Sequence, residues 1–348
     1  MNRSCKRDEL LPFVILEGSP ADRGRQHGRR FGQEITAALV ELRSREGVHH
    51  FESAHQRAEN SWQTVLRLAP VIASEIEGIA AGSETHVADI LLHIGFEFLE
   101  TPGPSGCSAI AVKGPHGAIV AQNWDALPGV QKDLALFFHV GLAGFEQAVV
   151  ASLGGLAWVG CNRNGLALVT NDLMLRRAAS GLPSQIVRRL VLEQSTVPDA
   201  LQVIAALPHM GGRSYLLGDA MGDVAGIEIS AGQAVRVNQR RSPVLHTNHP
   251  LDADIRRDED EAQLMRSYPS SRQRYDVLKR VAADAATVSD VAAVLNNQDG
   301  FPNAIWKSPS ADEPTETAFS VIVDCGGRVL HIAPGSAHSH SYHSVCWR

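Results

Sequence analysis

An α+β fold, with layered sheets and helices outside them, is predicted from three patterns in the amino-acid sequence. Residues 1–106 carry apolar side chains mostly at helical spacing. From Cys107 onward the apolar period shortens to two, the period of half-buried strands. Two pairs of helical segments then interrupt the strands, near 184–207 and 270–296. Sheets and helices in this alternation bury their apolar faces by stacking in layers.

The elements run in order along the chain. Val14 to Leu16 form a short strand. Ser19-Pro20 offers an N-cap and a proline at the first helical position. The helix after it runs from Ala21 to about Arg45, with Ile35, Leu39 and Leu42 on one face. Further helices are expected around 52–81 and 87–100, separated near Gly82. Strands Ser108–Val112 and Ala118–Asn123 are joined by the turn-rich Lys113-Gly-Pro-His-Gly117. Next come Leu136–Gly141 with Gln147–Leu153, and Ala157–Cys161 with Leu166–Thr170. Helices at 184–195 and 198–207 precede strands at Ser214–Leu217, Gly226–Ser230, Ala234–Asn238 and Val244–Thr247. The charged stretch 252–268 reads as a surface loop or lid. Helices near 270–284 and 288–296 lead to a hairpin, Ala318–Val323 with Val329–Ala333. The His-rich tail, with His338, His340 and His343, reads as a flexible polar terminus in preference to a metal site.

Composition limits the function. A chain of 348 residues, 44% hydrophobic and 20% charged, is an ordinary globular protein. A net charge of −6 without a basic block argues against nucleic acid. No signal peptide or membrane span is readable, so a cytoplasmic protein with no membrane partner is expected. Five scattered cysteines make neither a disulfide framework nor a zinc pattern. No metal or other cofactor is called for, and a reducing compartment leaves a thiol free to react.

That points to Cys107. It opens a strand after Gly106, and Gln122-Asn123-Trp124-Asp125 lies on the returning strand. Cutting the Gly106–Cys107 bond would give Cys107 an α-amino group, so one residue would carry both nucleophile and base. A buried apolar cysteine is the competing role.

Five ordered segments resemble the acyl-CoA:6-aminopenicillanic acid acyltransferase family, the peptidase C45 family of N-terminal nucleophile (Ntn) hydrolases. They are Leu16-Glu-Gly-Ser-Pro-Ala-Asp-Arg-Gly-Arg-Gln-His27-Gly28, Gly106-Cys107 with Gln122-Asn123-Trp124-Asp125, His246-Thr-Asn-His-Pro250, Ser270-Ser-Arg-Gln-Arg-Tyr275, and Thr317-Ala-Phe-Ser-Val-Ile-Val-Asp324. A more distant likeness to bile-salt and penicillin V hydrolases covers Asn162-Arg-Asn-Gly165-Leu…Asn171 and Ser271-x-x-Arg274-Tyr275. The resemblance implies a four-layer αββα Ntn-hydrolase sandwich with antiparallel sheets, and one unit over residues 1–348. It implies cleavage before Cys107, giving a mostly helical light chain (1–106) and a heavy chain (107–348). It also implies amide-bond chemistry on a small molecule, an N-acyl amide or an acyl-CoA. Oligomeric state is left open.

On this reading Cys107 is the nucleophile, and Gly106 eases strain and close approach at the scissile bond. Asp125 orients the α-amino group, or caps a turn before Pro128. Period two puts Asn123 on the side of Asp125 and sends Trp124 the other way. Asn248 is the expected oxyanion donor, with Asn171 a second amide near substrate. Arg274 is expected to bind Asp125 or a substrate carboxylate bidentately. Ser271 is a site residue or a helix N-cap. The expected function is a self-processing amidohydrolase/acyltransferase using a Cys107 thioester. An acyl-CoA-dependent N-acyltransferase is the alternative. An unprocessed cysteine hydrolase using His246 or His249 and a fold-retaining scaffold protein are rivals. A metal-dependent amidohydrolase is disfavoured because no HExxH motif is present.

Overall fold

The computed structural model describes residues 11–99, 105–141, 146–175, 180–230, 235–335 and 342–347. Strand β1 (Phe13–Glu17) is followed by helices α1 (Pro20–Glu46), α2 (Val48–Leu68), α3 (Pro70–Ser83) and α4 (Val87–Ile94). Ser19 caps α1 in a reciprocal box with Asp22, and Pro20 takes the first turn, as its sequence prescribes. The helix expected over 52–81 is in fact two. Pro70 lacks the N–H that would continue the ladder, and Ala69 is pushed off the helical region at φ −139°.

Strands β2 (Ser105–Lys113), β3 (Ala118–Ala126), β4 (Leu134–Val140), β5 (Glu146–Ser152), β6 (Val159–Asn162) and β7 (Ala167–Asp172) come next. Helices α5 (Ser184–Val191) and α6 (Val197–Ala206) precede β8 (Arg213–Gly218), β9 (Val224–Ile229), β10 (Val235–Gln239) and β11 (Val244–His246). The chain continues through α7 (Glu261–Ser267), α8 (Ser271–Val281), α9 (Val288–Leu295), β12 (Glu316–Asp324), β13 (Val329–Pro334) and β14 (His343–Cys346).

The strands form two sheets, ordered β1-β4-β5-β6-β7-β8-β9-β10 and β11-β2-β3-β12-β13-β14. The β1–β4 pair is parallel and the other named pairs are antiparallel. Three apolar clusters define the stacking. Leu136, Val150, Val169 and Leu216 of the first sheet meet Ala109, Ala111, Val120 and Val321 of the second. The other face of the first sheet, with Phe137, Val149, Leu168 and Tyr215, packs on α1–α6 through Ile35, Ile76, Leu91 and Val187. The other face of the second sheet, with Ile110, Ile119 and Ile322, packs on α8 and α9 through Leu278, Val291 and Leu295. The order is helix, sheet, sheet, helix, which is the αββα sandwich expected.

Two further expectations are corrected. The charged stretch 252–268 is not an irregular loop but carries α7, capped by Asp260. Its apolar minority is packed: Ile255 lies against Leu173 and Leu175, and Leu264 and Tyr268 lie against Met174. The C-terminal tail is not wholly irregular, since His343 starts β14 on the edge of the second sheet. His338 and His340 lie outside the described residues.

Candidate active site

Strand β2 places the site. It begins two residues before Cys107, so the Gly106–Cys107 bond lies inside a paired strand, with Gly106 opposite Asp125 and Cys107 opposite Trp124. Side chains alternate along it. Cys107 shares the face of Ala109 and Ala111, between the sheets, while Ser108 shares the outward face of Ile110. The thiol is only 5% exposed. Burial, then the charges of Asp172 and Asp125, push it well above its ordinary pKa, so it is protonated in the uncut chain.

The backbone of Cys107 is gripped from the α8 side. Its N–H donates to Asn248 Oδ1 at 2.9 Å, and its carbonyl accepts from Arg274 Nη1 at 2.6 Å. The remaining Arg274 donors go to Ser108 Oγ (2.9 Å), Asn248 Oδ1 (2.9 Å) and Ser270 Oγ (3.0 Å). Arg274 thus differs from expectation. Its fork is spent on neutral internal acceptors, and Asp125 is felt only through space. Ser271 does not cap α8 with its side chain; its Oγ accepts from the Asn248 N–H at 2.8 Å and fixes the loop carrying that residue.

Asn123 and Asp125 do share a face, as period two predicts, but it is the face opposite the thiol. Asn123 Nδ2 donates to the carbonyls of Leu295 and Ile305 and so anchors α9 and the loop beyond it. Asp125 Oδ1 accepts from Thr317 Oγ1 at 2.8 Å, while its Oδ2 is buried without a partner among the described residues. A Cβ on Gly106 would stand 2.9 Å from that oxygen. Burial raises the Asp125 carboxyl above the usual range, against Arg274, Lys307 and Thr317. The neighbouring Lys307 ammonium is held by Glu313 and is pulled down to about 7 by burial and by Arg274.

The amides divide unexpectedly. Asn248 Nδ2, the expected oxyanion donor, already donates to the Asp172 carbonyl at 3.2 Å. Asn171 is fully buried, and neither end of its amide has a partner among the described residues. On β7 it shares the face of Val169 and Ala167, turned toward the second sheet. That leaves a buried amide donor free in the layer occupied by Cys107.

Several further neighbours complete the site. Gln122 lies on the thiol's face of the sheet, two residues from Trp124. It also holds both backbone groups of Thr170, at 2.6 and 3.1 Å. Trp124, opposite Cys107, stacks with Phe319 and packs at a tilt on Trp158. Asp172 pairs with Arg213 at 3.3 Å, and Tyr268 bridges Asp172 and Ser105. Gln122 and Trp124 could have been found by applying period two to Cys107 itself. Asp172, Arg213 and Tyr268 come from distant elements that only the fold brings together.

The motif histidines are committed elsewhere. His246 lies 2.7 Å from Glu228, and His249 contacts Ser271 and Thr247. His27 accepts the Gly154 N–H at 2.8 Å.

A sequence model of acyl-coenzyme A:6-aminopenicillanic acid acyl-transferase matches residues 112–338. The chain belongs to this family. It is therefore an enzyme of the acyl-transfer class. The 40 kDa form of acyl-coenzyme A:6-aminopenicillanic-acid-acyltransferase from Emericella nidulans is 24% identical over 337 residues, 92% of each chain. Among solved structures, penicillin V acylase from Agrobacterium tumefaciens is 16% identical, with a TM-score of 0.45 over 66% of this chain and 83% of that one. A conjugated bile acid hydrolase from Clostridium perfringens is 9% identical, with a TM-score of 0.44 over 69% and 92%. Among the described residues, no helix is long and apolar enough to cross a membrane.

Proposed function

We propose that this family member cuts its own chain before Cys107 and then uses that residue to take the acyl group from a small N-acyl amide. The observation that carries this reading is the double grip on the Cys107 backbone. Asn248 holds the nitrogen that would become the α-amine, and Arg274 fixes the adjoining carbonyl.

In the first stage Cys107 Sγ attacks the Gly106 carbonyl carbon. The C–N bond breaks, and the nitrogen leaves as the Cys107 amine with the thiol proton. Water then hydrolyses the thioester, releasing the Gly106 carboxylate and restoring the thiol. The light chain (1–106) stays bound to the heavy chain (107–348). The partnerless Asp125 Oδ2 beside Gly106 is the acceptor for the new ammonium. In the second stage the free amine, with an ordinary pKa near 8, takes the thiol proton as sulfur attacks the substrate carbonyl. Asn171 Nδ2 donates to the oxyanion, joined by Asn248 Nδ2 once it releases the Asp172 carbonyl. The leaving amine takes the proton, and water resolves the thioester.

A second reading, in which the acyl donor is an acyl-CoA and the acceptor an amine, is favoured by the name of the Emericella relative. A panel of N-acyl amines and acyl-CoAs, with wild type and Cys107→Ala side by side, tests both. Burst release of amine or CoA that vanishes in Cys107→Ala is expected, with an acyl group mass-labelled on Cys107. Turnover surviving in Cys107→Ala would refute the nucleophile assignment.

A further inference from the structure

The helical layer holds a second group of chemistry-bearing side chains that acyl transfer does not use. His55 and Glu59 stand one turn apart on α2, so both face the same way. His86, at the N-cap of α4, meets that face. One ligand atom from each of the three lies within 4.8 Å of the other two.

His55 has a carboxylate facing each ring nitrogen. Its Nε2 lies 3.1 Å from Asp89 Oδ1, and its Nδ1 faces Glu59 Oε1 at 3.8 Å. A proton on Nε2 donated to Asp89 leaves the Nδ1 lone pair pointing to the cluster, and a carboxylate behind a ligating histidine is the usual orienting partner. Asp89 is itself fixed by the backbone N–H of His86 at 2.9 Å. His86 has little to give up: its Nδ1 can bind a cation by releasing one long contact, 3.3 Å from the Ala88 N–H.

We propose that His55, Glu59 and His86 bind one divalent cation of the zinc class at the α2–α4 junction, with water completing the shell. Two imidazoles and one carboxylate suit zinc and its transition-metal neighbours over magnesium or calcium. Ligands at about 2.1 Å from a tetrahedral ion stand roughly 3.4 Å apart, so side-chain rotation closes the cluster. The site is structural. Arg57 of α2 already holds the carbonyl of Phe98, on the segment that follows α4. A cation joining the two helices would tighten that connection.

The test uses full-length protein stripped by chelator, titrated with zinc chloride by calorimetry and followed by thermal unfolding. One zinc per chain and a Tm rise are expected, with no response to magnesium chloride. His86→Ala and Glu59→Gln should each weaken zinc binding at least about tenfold. Replacing the tail residues His338 and His340 by alanine should leave it intact. No zinc uptake below about 1 mM would overturn the site. So would unchanged affinity in Glu59→Gln, or loss of binding on changing only the tail. Glu59 is exposed, so its variant remains decisive if a histidine variant does not fold.

Discussion

Cys107 is ordinary in sequence and unusual in its attachments: a protonated, buried thiol whose own N–H and carbonyl are both hydrogen-bonded to side chains. The residues around it differ in what they contribute to folding, so stability and chemistry separate. The Asn171 side chain makes no hydrogen bond among the described residues, so Asn171→Leu should leave stability within about 1 kcal/mol of wild type, because no partner there is orphaned. The same change should cut kcat by about 100-fold or more if its amide serves the oxyanion. Denaturant unfolding alongside steady-state rates checks this; unchanged kcat would remove Asn171 from the chemistry. Gly106→Ala introduces a Cβ 2.9 Å from a buried carboxylate oxygen that has no partner. Chain cleavage should slow at least about tenfold, since each 1.4 kcal/mol of added barrier is a factor of ten. Pulse-chase on a denaturing gel measures it. Cys107, Asp125, Asn248 and Arg274 are legible in the sequence, but their contacts are not. The sequence leads Arg274 to a carboxylate, yet its donors go to a carbonyl, two hydroxyls and an amide, a set that depends on how α8 docks against β2.

At the scale of elements, α1 and α3 pack backbone to backbone. A Cβ on Gly24 would lie 2.1 Å from the Glu75 carbonyl, and one on Gly28 would lie 2.2 Å from that of Ile79. This explains the glycines of the N-terminal motif: they admit Glu75 to a buried contact with Arg23 and Arg189. His27 and His139 share that layer as neutral rings. Burial pulls His27 down to about 3, and burial with Arg189 pulls His139 down as well. Below about pH 6.5 the unfolded chain protonates these rings while the folded chain does not, so acid favours unfolding. Tm should fall steadily from about pH 6.5 toward pH 4, and His27→Gln should flatten the fall. A pH-independent Tm across that window would contradict this burial. Helix ends set by caps and prolines, such as Ser19-Pro20, are legible. The break at Pro70 is written in the sequence too, but the apolar spacing runs on past it toward Gly82 and masks it. Helix α7 is hidden because 252–268 carries too few apolar residues to show a period, although Leu264 and Tyr268 are enough to dock it.

For the whole molecule, the resemblance reaches the four-layer sandwich because its ordered motifs span both sheets, whereas composition and period alone reach only layered sheets with outer helices. Strand order is not legible: β1 lies beside β4, and β11 beside β2, through pairings between distant segments. That order decides whether the two halves of a cut chain stay together. β1 is an edge strand of the first sheet, and α1–α4 cover that sheet's outer face. Glu75–Arg189 and Glu97–Arg213 are buried ion pairs joining residues on either side of Gly106. Two chains produced there would remain one folded body. Intact-protein mass spectrometry of freshly purified, active protein, under native and then denaturing conditions, tests self-cleavage most directly. The expected result is a native complex with the mass of the full chain plus one water, which denaturation separates into residues 1–106 and a heavy chain beginning at Cys107. A single uncut polypeptide in fully active enzyme would contradict it.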